Sequence, residues 1–347
     1  MGDGMRLSLL ALLVSLVAGV EGVWAQEARP AAPKPLYRDP VYDGAADPVL
    51  VWNRGEGKWW MLYTNRRANV AGLRGVSWVH GTRIGIAESA DGGATWKYRG
   101  TADLPVGGEQ DTHWAPDIVF HEGTYQMFLT FVPGTHEDWS GERRIVHLTS
   151  PDLVKWKKEG QIPFASNRVL DASVLRLPDG TWRMWYNDEN AGKTIFVADS
   201  PDLMTWTNHG KAVPDRGEGP KAFQWLGSYW LIVDQWEKGL AVYRSDDATR
   251  WAKQPESLLV TPGTGEDDKV HGGHADVVVS GDRAFLFYFT HPGRRPDAPR
   301  TDTEQRRSSI QVVELKHKDG QLICDRDQPT HICLAPPAHP LPEPKNR

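Results

Sequence analysis

The sequence predicts an all-β protein, a five-bladed β-propeller, and two observations carry that prediction. One unit recurs five times in the 347-residue chain: a strand of alternating apolar and polar residues leads through a glycine-containing turn to an aromatic-rich strand. No segment shows a sustained 3.6-residue apolar period, the pattern of an amphipathic helix. Strand-only repeats of about 50 residues are typical of a propeller, in which each repeat forms one four-stranded blade.

The first predicted strand of each repeat begins at a recognisable motif. These five strands begin at Asp47, Pro116, Asp171, Glu218 and His274. Because the first strands of a propeller converge on a central channel, residues at their starts can point into one cavity. A pair of β-sandwiches would also be all-β, but it would not explain one repeated blade signature.

Four repeats continue into a third strand that ends in serine and is followed by tryptophan. The pairs are Ser89 and Trp96, Ser150 and Trp156, Ser200 and Trp206, and Ser245 and Trp251. The first, Ser-Ala-Asp-Gly-Gly-Ala-Thr-Trp, resembles the Asp-box turn of sialidases and other propellers, a hairpin whose tryptophan packs between blades. We interpret it as a mark of the fold, since a sialidase would also need three channel arginines and a tyrosine nucleophile that the sequence does not place.

The N-terminal residues predict export. An apolar run from Leu7 to Val20 precedes Val23-Trp24-Ala25, which resembles a cleavage site. This run of about 14 residues is shorter than the roughly 20 needed to span a bilayer. We therefore expect a signal peptide at 1–25 and a secreted or periplasmic protein with no membrane span after cleavage; an uncleaved anchor is the alternative. A linker rich in Ala, Pro and Lys is predicted at 26–40, and a single propeller domain with a C-terminal hairpin at 41–347.

Charge and cysteine content restrict the partners and the covalent links. With 40 basic and 45 acidic residues, the formal net charge is −5. This argues against nucleic acid as the main partner, which would require a concentrated basic surface. In an oxidising compartment the two cysteines, Cys324 and Cys333, would form a local disulfide; two free thiols are the alternative.

Three of the predicted inner strands begin with a carboxylate: Asp47, Asp171 and Glu218. Like charges that face one channel raise each other's pKa, which indicates proton transfer or metal binding. Glycoside hydrolysis needs one carboxylic acid that protonates the leaving oxygen and a second carboxylate that activates water or attacks the sugar. A simpler role stays open for Asp47 and Asp171, because aspartate often caps turns.

The motifs together resemble glycoside hydrolase family 43 and its five-bladed relatives over roughly residues 40–315. They are Ala46-Asp47-Pro48, Trp114-Ala115-Pro116-Asp117, Leu170-Asp171-Ala172, Glu218-Gly219-Pro220 and Gly272-Gly273-His274, one per blade in family order. The resemblance implies that Asp47 is the general base, Glu218 the general acid, and Asp171 the residue that tunes the acid. It also implies inversion at the anomeric carbon, with about 6.5–9.5 Å between base and acid.

The resemblance also implies a ligand environment, with carbohydrate as the partner and no required cofactor. A channel histidine, matching His274, would orient the base or assist a structural calcium ion through water, because calcium prefers oxygen ligands. His271 and His274 could instead be a metal pair or hydrogen-bonded core histidines. The residues expected to contact substrate are His113, Trp114, Asp117, Trp78 and His271, although Asp117 is also a candidate for a positioning role.

The sugar stays open at this stage. The resemblance favours an exo-acting enzyme of the arabinofuranosidase or xylosidase kind. The His- and Asp-rich motif at 267–276 and an insertion at 65–82 depart from the family pattern. Sister families that act on anhydro-galactosides or galactofuranosides, and a non-catalytic carbohydrate-binding propeller, are the alternatives. A phosphorylase is another, if Arg66, Arg67 and Lys221 formed a phosphate pocket.

Overall fold

The computed structural model describes residues 30–337, and their strands form five separate four-stranded sheets. The predicted signal peptide lies outside these residues. Within each sheet the strands are antiparallel neighbours in chain order. The first strand of every sheet contacts the first strand of the next, and the fifth returns to the first. This closed ring confirms the predicted five-bladed propeller.

The strand bounds follow one pattern in all blades. Blade one contains β1 (Ala45–Asn53), β2 (Lys58–Asn65), β3 (Arg83–Ser89) and β4 (Lys97–Thr101). Blade two contains β5 (Thr112–His121), β6 (Thr124–Val132), β7 (Arg144–Ser150) and β8 (Lys157–Gln161). Blade three contains β9 (Val169–Arg176), β10 (Trp182–Asp188), β11 (Thr194–Ser200) and β12 (Thr207–Arg216). Blade four contains β13 (Glu218–Trp225), β14 (Ser228–Asp234), β15 (Leu240–Ser245) and β16 (Ala252–Lys253), and blade five contains β17 (Gly273–Ser280), β18 (Arg283–Thr290), β19 (Ser309–Lys318) and β20 (Gln321–Ile323).

Helical structure is confined to short segments among the described residues. They are α1 (Asp302–Arg306) and three 3₁₀ turns at Ser77–Val79, Trp236–Lys238 and Pro292–Arg294. Within residues 30–337, no helix is long and apolar enough to cross a membrane.

The apolar core lies between the blades. Five buried clusters each join one blade to its neighbour, including blade five to blade one. This arrangement follows from the alternation of side chains along a strand, because each sheet buries both faces against the adjacent sheets. The ring is therefore closed by side-chain packing, and the inner strand starts are held at fixed positions around the channel.

The repeated serine–tryptophan element forms a turn between the third and fourth strands. In blade two, Asp152 Oδ1 accepts hydrogen bonds from the Val154 and Lys155 amides, and Trp156 Nε1 donates to the Leu153 carbonyl at 3.0 Å. Each of the four tryptophans packs against a cluster between blades. The structural interpretation of this motif is confirmed.

Two predictions about the chain ends need correction. The linker predicted at 26–40 does not extend to residue 40, because Leu36 and Tyr37 are buried in the core and Tyr37 pairs through its backbone with Ile310 of β19. These two apolar side chains pack the Pro-rich segment against the core between blades five and one. The local disulfide is not formed either: Cys324 and Cys333 are both free.

Candidate active site

The starts of the inner strands open into one cavity of about 880 Å³. Seven of the nine predicted site residues line it: Asp47, Trp78, Trp114, Asp171, Glu218, His271 and His274. His113 and Asp117 do not. Residues far apart in sequence thus meet in a single concave site, as the repeat alignment predicted.

A β-bulge at the start of every inner strand positions these residues. The pairing of each first strand with its second strand shifts register at this point. One bulge residue per blade has a positive φ: Asp47 (50°), Ala115 (37°), Asp171 (57°), Gly219 (53°) and His274 (26°). Bulges re-aim side chains, and aspartate tolerates this left-handed region better than most residues. We call these five positions the upper layer.

The sequence analysis placed Glu218 at the same position in its strand as Asp47 and Asp171, and the bulges show that this alignment is wrong by one residue. In blade four the upper-layer residue is Gly219, and Glu218 lies one position earlier, paired with Asp234 across β13 and β14. A Cβ on Gly219 would lie only 2.7 Å from the His274 ring and would require a positive φ. Glycine is therefore needed at 219 for Glu218 and His274 to share the cavity.

Asp47 is held as an anion by its neighbours. The Arg66 guanidinium donates to both carboxylate oxygens, at 2.9 and 3.0 Å, and His274 Nδ1 lies 3.4 Å from Oδ1. Burial alone would raise the pKa of Asp47, but the charges of Arg66 and then His274 outweigh it and leave the pKa below its usual value. Asp47 is therefore ionised at neutral pH.

Glu218 is in the opposite situation. Burial first, and then the negative charge of Asp171, raises the pKa of Glu218 to about 7, although the Trp236 side chain donates a hydrogen bond to it. The pKa of Asp171 is also raised to about 7, by burial and by Asp47. Asp171 Oδ2 accepts the Gly219 amide at 3.1 Å, which ties it to the strand that carries Glu218. One cavity therefore holds a carboxylate whose pKa is lowered, Asp47, and two others, Asp171 and Glu218, whose pKa values are raised to about 7.

Asp234 is a further cavity carboxylate beside Glu218, and the sequence analysis missed it. Its two oxygens accept the backbone amides of Trp236 at 2.6 Å and His274 at 2.7 Å. Burial and the charge of Glu218 raise its pKa well above the usual value. Thr64 and Thr130 hold the matching positions in blades one and two, where each hydroxyl accepts an upper-layer amide of the next blade. Aligning the ends of the second strands would have revealed it.

A lower layer lies two residues further along the inner strands and contains Asp117, Ser173, Lys221 and Asp276. Lys221 Nζ forms ion pairs with Asp117 at 3.1 Å and Asp276 at 2.7 Å. The second oxygens of these aspartates accept the amides of Val174 and Leu50 on neighbouring blades. Asp117, predicted to bind substrate, is thus placed in a structural ion pair between blades.

The residues around the channel do not fit a directly coordinated calcium ion. The Lys221 ammonium takes up the charge of the two lower-layer carboxylates. His274 Nδ1 faces Asp47, and within residues 30–337 no group of three or more His, Cys, Asp or Glu side chains is arranged to hold a metal. Calcium needs several oxygen ligands at short range, and the described residues around the channel do not offer such a set.

Aromatic side chains form the wall of the cavity beside blades one and two. Trp78 and Trp114 are buried in one cluster, and Trp114 Nε1 donates to the Val79 carbonyl. Trp139 is 50% exposed and lies 6.3 Å from Trp114 between ring centroids. Such rings are suited to packing against the C–H faces of a sugar.

The two histidines predicted to contact substrate differ in position. His271 lines the cavity. The His113 ring is buried, contacts Phe131, and donates through Nε2 to the Val106 carbonyl at 2.9 Å. Because burial lowers its pKa to about 4, the ring stays neutral. The expected substrate contact at His113 does not fit this placement, although its neighbour Trp114 does face the cavity.

A five-bladed propeller with several buried carboxylates at its channel mouth fits the class of propeller glycoside hydrolases that the sequence resemblance predicts. The comparison with known families agrees. A family model described as "Glycosyl hydrolases family 43" matches residues 100–321, more than half of the chain. The protein therefore belongs to glycosyl hydrolases family 43.

Individual relatives are more distant. β-Fructofuranosidase 1 of Zea mays is 28% identical in an alignment 178 residues long that covers 42% of this chain and 26% of that protein. An insoluble β-fructofuranosidase isoenzyme of Arabidopsis thaliana matches at 28% identity over 42% of this chain and 32% of its own length. The chain thus spans about a quarter to a third of these curated relatives.

Solved structures share the fold at lower identity. A thermostable family-43 glycoside hydrolase matches with a TM-score of 0.60 and 19% identity, covering 90% of this chain and 100% of that one. A family-43 β-xylosidase/α-arabinofuranosidase from a compost metagenome, in complex with xylotriose, matches with a TM-score of 0.58 and 17% identity, over 81% of this chain and 94% of that one. A family-43 β-1,3-galactosidase with galactodeoxynojirimycin matches with a TM-score of 0.60 and 16% identity, covering 83% of this chain and 96% of that one.

Proposed function

We propose that this protein is an exported, exo-acting glycoside hydrolase that inverts the anomeric centre of a terminal sugar, of the arabinofuranosidase or xylosidase kind. The observation that carries the proposal is the unequal surroundings of two carboxylates in one cavity. Asp47 is paired with Arg66, whereas Glu218 faces Asp171 and Asp234. The first favours a base and the second an acid.

In the proposed mechanism Asp47 accepts a proton from water as that water attacks the anomeric carbon. Arg66 uses one acceptor site on each oxygen of Asp47, and a carboxylate keeps further lone pairs for the water. Glu218 donates its proton to the leaving glycosidic oxygen. Asp171 keeps that proton on Glu218 by like-charge repulsion and holds the strand through the Gly219 amide.

The aromatic lining of the cavity is suited to a terminal sugar. Trp78, Trp114 and Trp139 line one side, and Trp236 with its 3₁₀ turn lines the blade-four side. A terminal sugar would pack against the buried tryptophans, and the half-exposed Trp139 at the mouth would contact the leaving portion. The family-43 neighbour crystallised with xylotriose has the same fold, which supports a pentose-containing substrate. The N-terminal segment predicted at 1–25 supports export, to the periplasm or the medium.

The test is a screen of aryl glycosides and plant and algal polysaccharides, with NMR of the first anomer released. We expect hydrolysis with inversion, and no rescue of Asp47→Asn by azide with retained stereochemistry. Release of the retained anomer would overturn the base assignment. Tight sugar binding with no hydrolysis of any glycan would instead favour the non-catalytic alternative.

A fructofuranosidase is the second candidate, because the curated relatives that match are β-fructofuranosidases. Assays with sucrose and levan decide between the two: release of fructose but no pentose would favour it. The phosphorylase alternative loses its predicted pocket, since Arg66 is bound to Asp47 and Lys221 to two aspartates. The sister families that act on anhydro-galactosides or galactofuranosides are tested by the same screen.

A further inference from the structure

The blade-five wall of the cavity carries a cation that lacks an acidic partner. In this segment Arg295 pairs with Asp297 at 3.0 Å, and Arg306 and Arg307 also form ion pairs with acidic side chains. Arg294 lines the cavity, and its Nε donates to the Gln305 carbonyl at 3.2 Å. Within the described part of the chain, no carboxylate lies within 4.0 Å of the Arg294 guanidinium. Its two terminal nitrogens are therefore available to a ligand.

The groups around Arg294 do not neutralise it. The Arg66 charge is matched by Asp47, and His291 accepts from Arg66 at Nε2 while donating to the Arg307 carbonyl through Nδ1. This bonding fixes His291 as a neutral ring. Desolvation, and then the charge of Arg66, lowers the pKa of Arg294 to about 10. Glu237 lines the cavity beside Lys238 and, like Arg294, is exposed at the mouth, but it is not within ion-pair distance of Arg294.

An unpaired guanidinium in a substrate cavity is suited to one kind of ligand. Its planar fork matches a carboxylate or sulfate through two parallel hydrogen bonds, and it is more weakly hydrated than an ammonium. The Trp78 ring lies 5.9 Å from the His291 ring between centroids. A sugar packed on the tryptophan wall would therefore lie next to the basic side of the cavity.

We infer that Arg294 is a specificity-determining residue that binds an oxyanion carried by the sugar itself, either the carboxylate of a uronic acid or a sulfate ester. The inference rests on the proposed glycosidase function and names its substrate class: acidic rather than neutral saccharides. The remaining cavity cations near the carboxylates, Arg143 and Lys193, are already paired with Glu189. Lys238 also lines the cavity and forms no ion pair among the described residues, but its ammonium is a point charge without the planar fork, so we assign the anion to Arg294.

The experiment measures binding by calorimetry in the Glu218→Gln background, so that no ligand is cleaved. The probes are aryl β-galactoside, its galacturonide and its 6-sulfate, and aryl β-xyloside with the corresponding glucuronide. We expect at least one acidic probe to bind about tenfold or more tightly than its neutral partner, since hydrogen bonds to charged groups contribute this much. The galacturonide and sulfate arms separate a carboxylate from a sulfate ligand.

Two variants test the residue. Arg294→Gln should abolish the preference for the acidic probe, and Arg294→Lys, a point charge without the fork, should restore only part of it. Arg295→Gln is the matched control, because Arg295 is already paired with Asp297 and does not line the cavity. In the Glu218→Gln background that control should keep the preference, and Arg295→Gln made alone should keep the wild-type rate of hydrolysis.

Several results would overturn the inference. They are equal or tighter binding of the neutral probes, a preference that survives Arg294→Gln, and stimulation of cleavage by inorganic phosphate without any preference for acidic sugars. Hydrolysis by the unmodified protein is measured in parallel with the same probes. If neutral glycosides are cleaved with no acidic preference, the proposed function stands and only the inference fails. If acidic probes bind through Arg294 but nothing is cleaved, the function fails and the anion site stands.

Discussion

The cavity carboxylates and the lower-layer carboxylates lie around one channel but on different strands, and their surroundings differ. Below, Asp117 and Asp276 share the Lys221 ammonium and donors from neighbouring strands. Above, Glu218 and Asp234 face each other, neither forms an ion pair with a cation among the described residues, and both pKa values are raised. Burial also raises the pKa of Asp276, but there the Lys221 ammonium acts against it. The two layers therefore differ in whether a cation contacts the buried carboxylates.

This difference explains how one repeated scaffold separates stability from chemistry. A cation and amide donors favour the charged form of a buried carboxylate and occupy its oxygens, so it is poorly placed to transfer a proton. A buried carboxylate next to other carboxylates is an acid near neutral pH. Asp47 lies between the two cases, because Arg66 makes it an anion although it faces the cavity. We therefore expect changes in the lower layer to affect mainly stability, and changes to the cavity carboxylates to affect mainly activity.

The largest effect is expected for Glu218→Gln, which removes the transferable proton from the cavity. We expect kcat to fall by roughly 10³-fold, within the range for loss of a general acid, with thermal stability retained. The matched change in the lower layer is Asp117→Asn, which should lower stability and leave kcat within a few-fold. Steady-state kinetics and thermal unfolding measure both, and an equal loss of kcat in the two variants would remove the distinction between the layers.

The next largest effect is expected for Lys221→Met, which leaves two buried aspartates without their cation. Breaking a buried ion pair from one side typically lowers the free energy of unfolding by about 3–5 kcal/mol. The control is Lys253→Met, since Lys253 and Asp215 form a pair of which both members are more than a third exposed. That change should alter the free energy by less than about 1 kcal/mol. Similar denaturation midpoints for the two variants would argue against a stabilising role of the lower layer.

A smaller effect is expected for Asp234→Asn, because Asp234 lies beside a cavity carboxylate but also has the amide donors typical of the lower layer. Asp234 lies beside Glu218, but each of its oxygens accepts a backbone amide. The amide side chain can accept only one of these, so one buried donor loses its partner, at about 1–3 kcal/mol of unfolding free energy. We expect kcat to fall by roughly tenfold, because the His274 and Trp236 backbones shift. A loss as large as that of Glu218→Gln would instead make Asp234 a proton donor.

The sequence predicted the propeller because its repeats are local, and a strand–turn–strand unit can be recognised within about 50 residues. It predicted Asp47, Asp171 and Glu218 because inner-strand starts converge in any propeller. It missed Asp234, since this residue ends a second strand and only cross-strand pairing places it opposite Glu218. It could not distinguish Asp117 from the cavity acids, because the compensating Lys221 belongs to a different blade, 104 residues away.

The smallest effect is expected in the pH profile of Asp171→Asn. The proposed mechanism requires Asp47 ionised and Glu218 protonated, so activity should fall as pH rises through the Glu218 pKa of about 7. Asp171 raises that pKa by its negative charge, so its removal lets Glu218 ionise more easily and should move the alkaline limb of kcat/KM to lower pH, by about one unit. The acidic limb belongs to Asp47, whose pKa is set by burial, Arg66 and His274, and it should stay in place as an internal control. An alkaline limb that does not move, or that moves to higher pH, would mean that the Asp171 charge does not hold the proton on Glu218, and Asp171 would then act only through its hydrogen bond to the Gly219 amide.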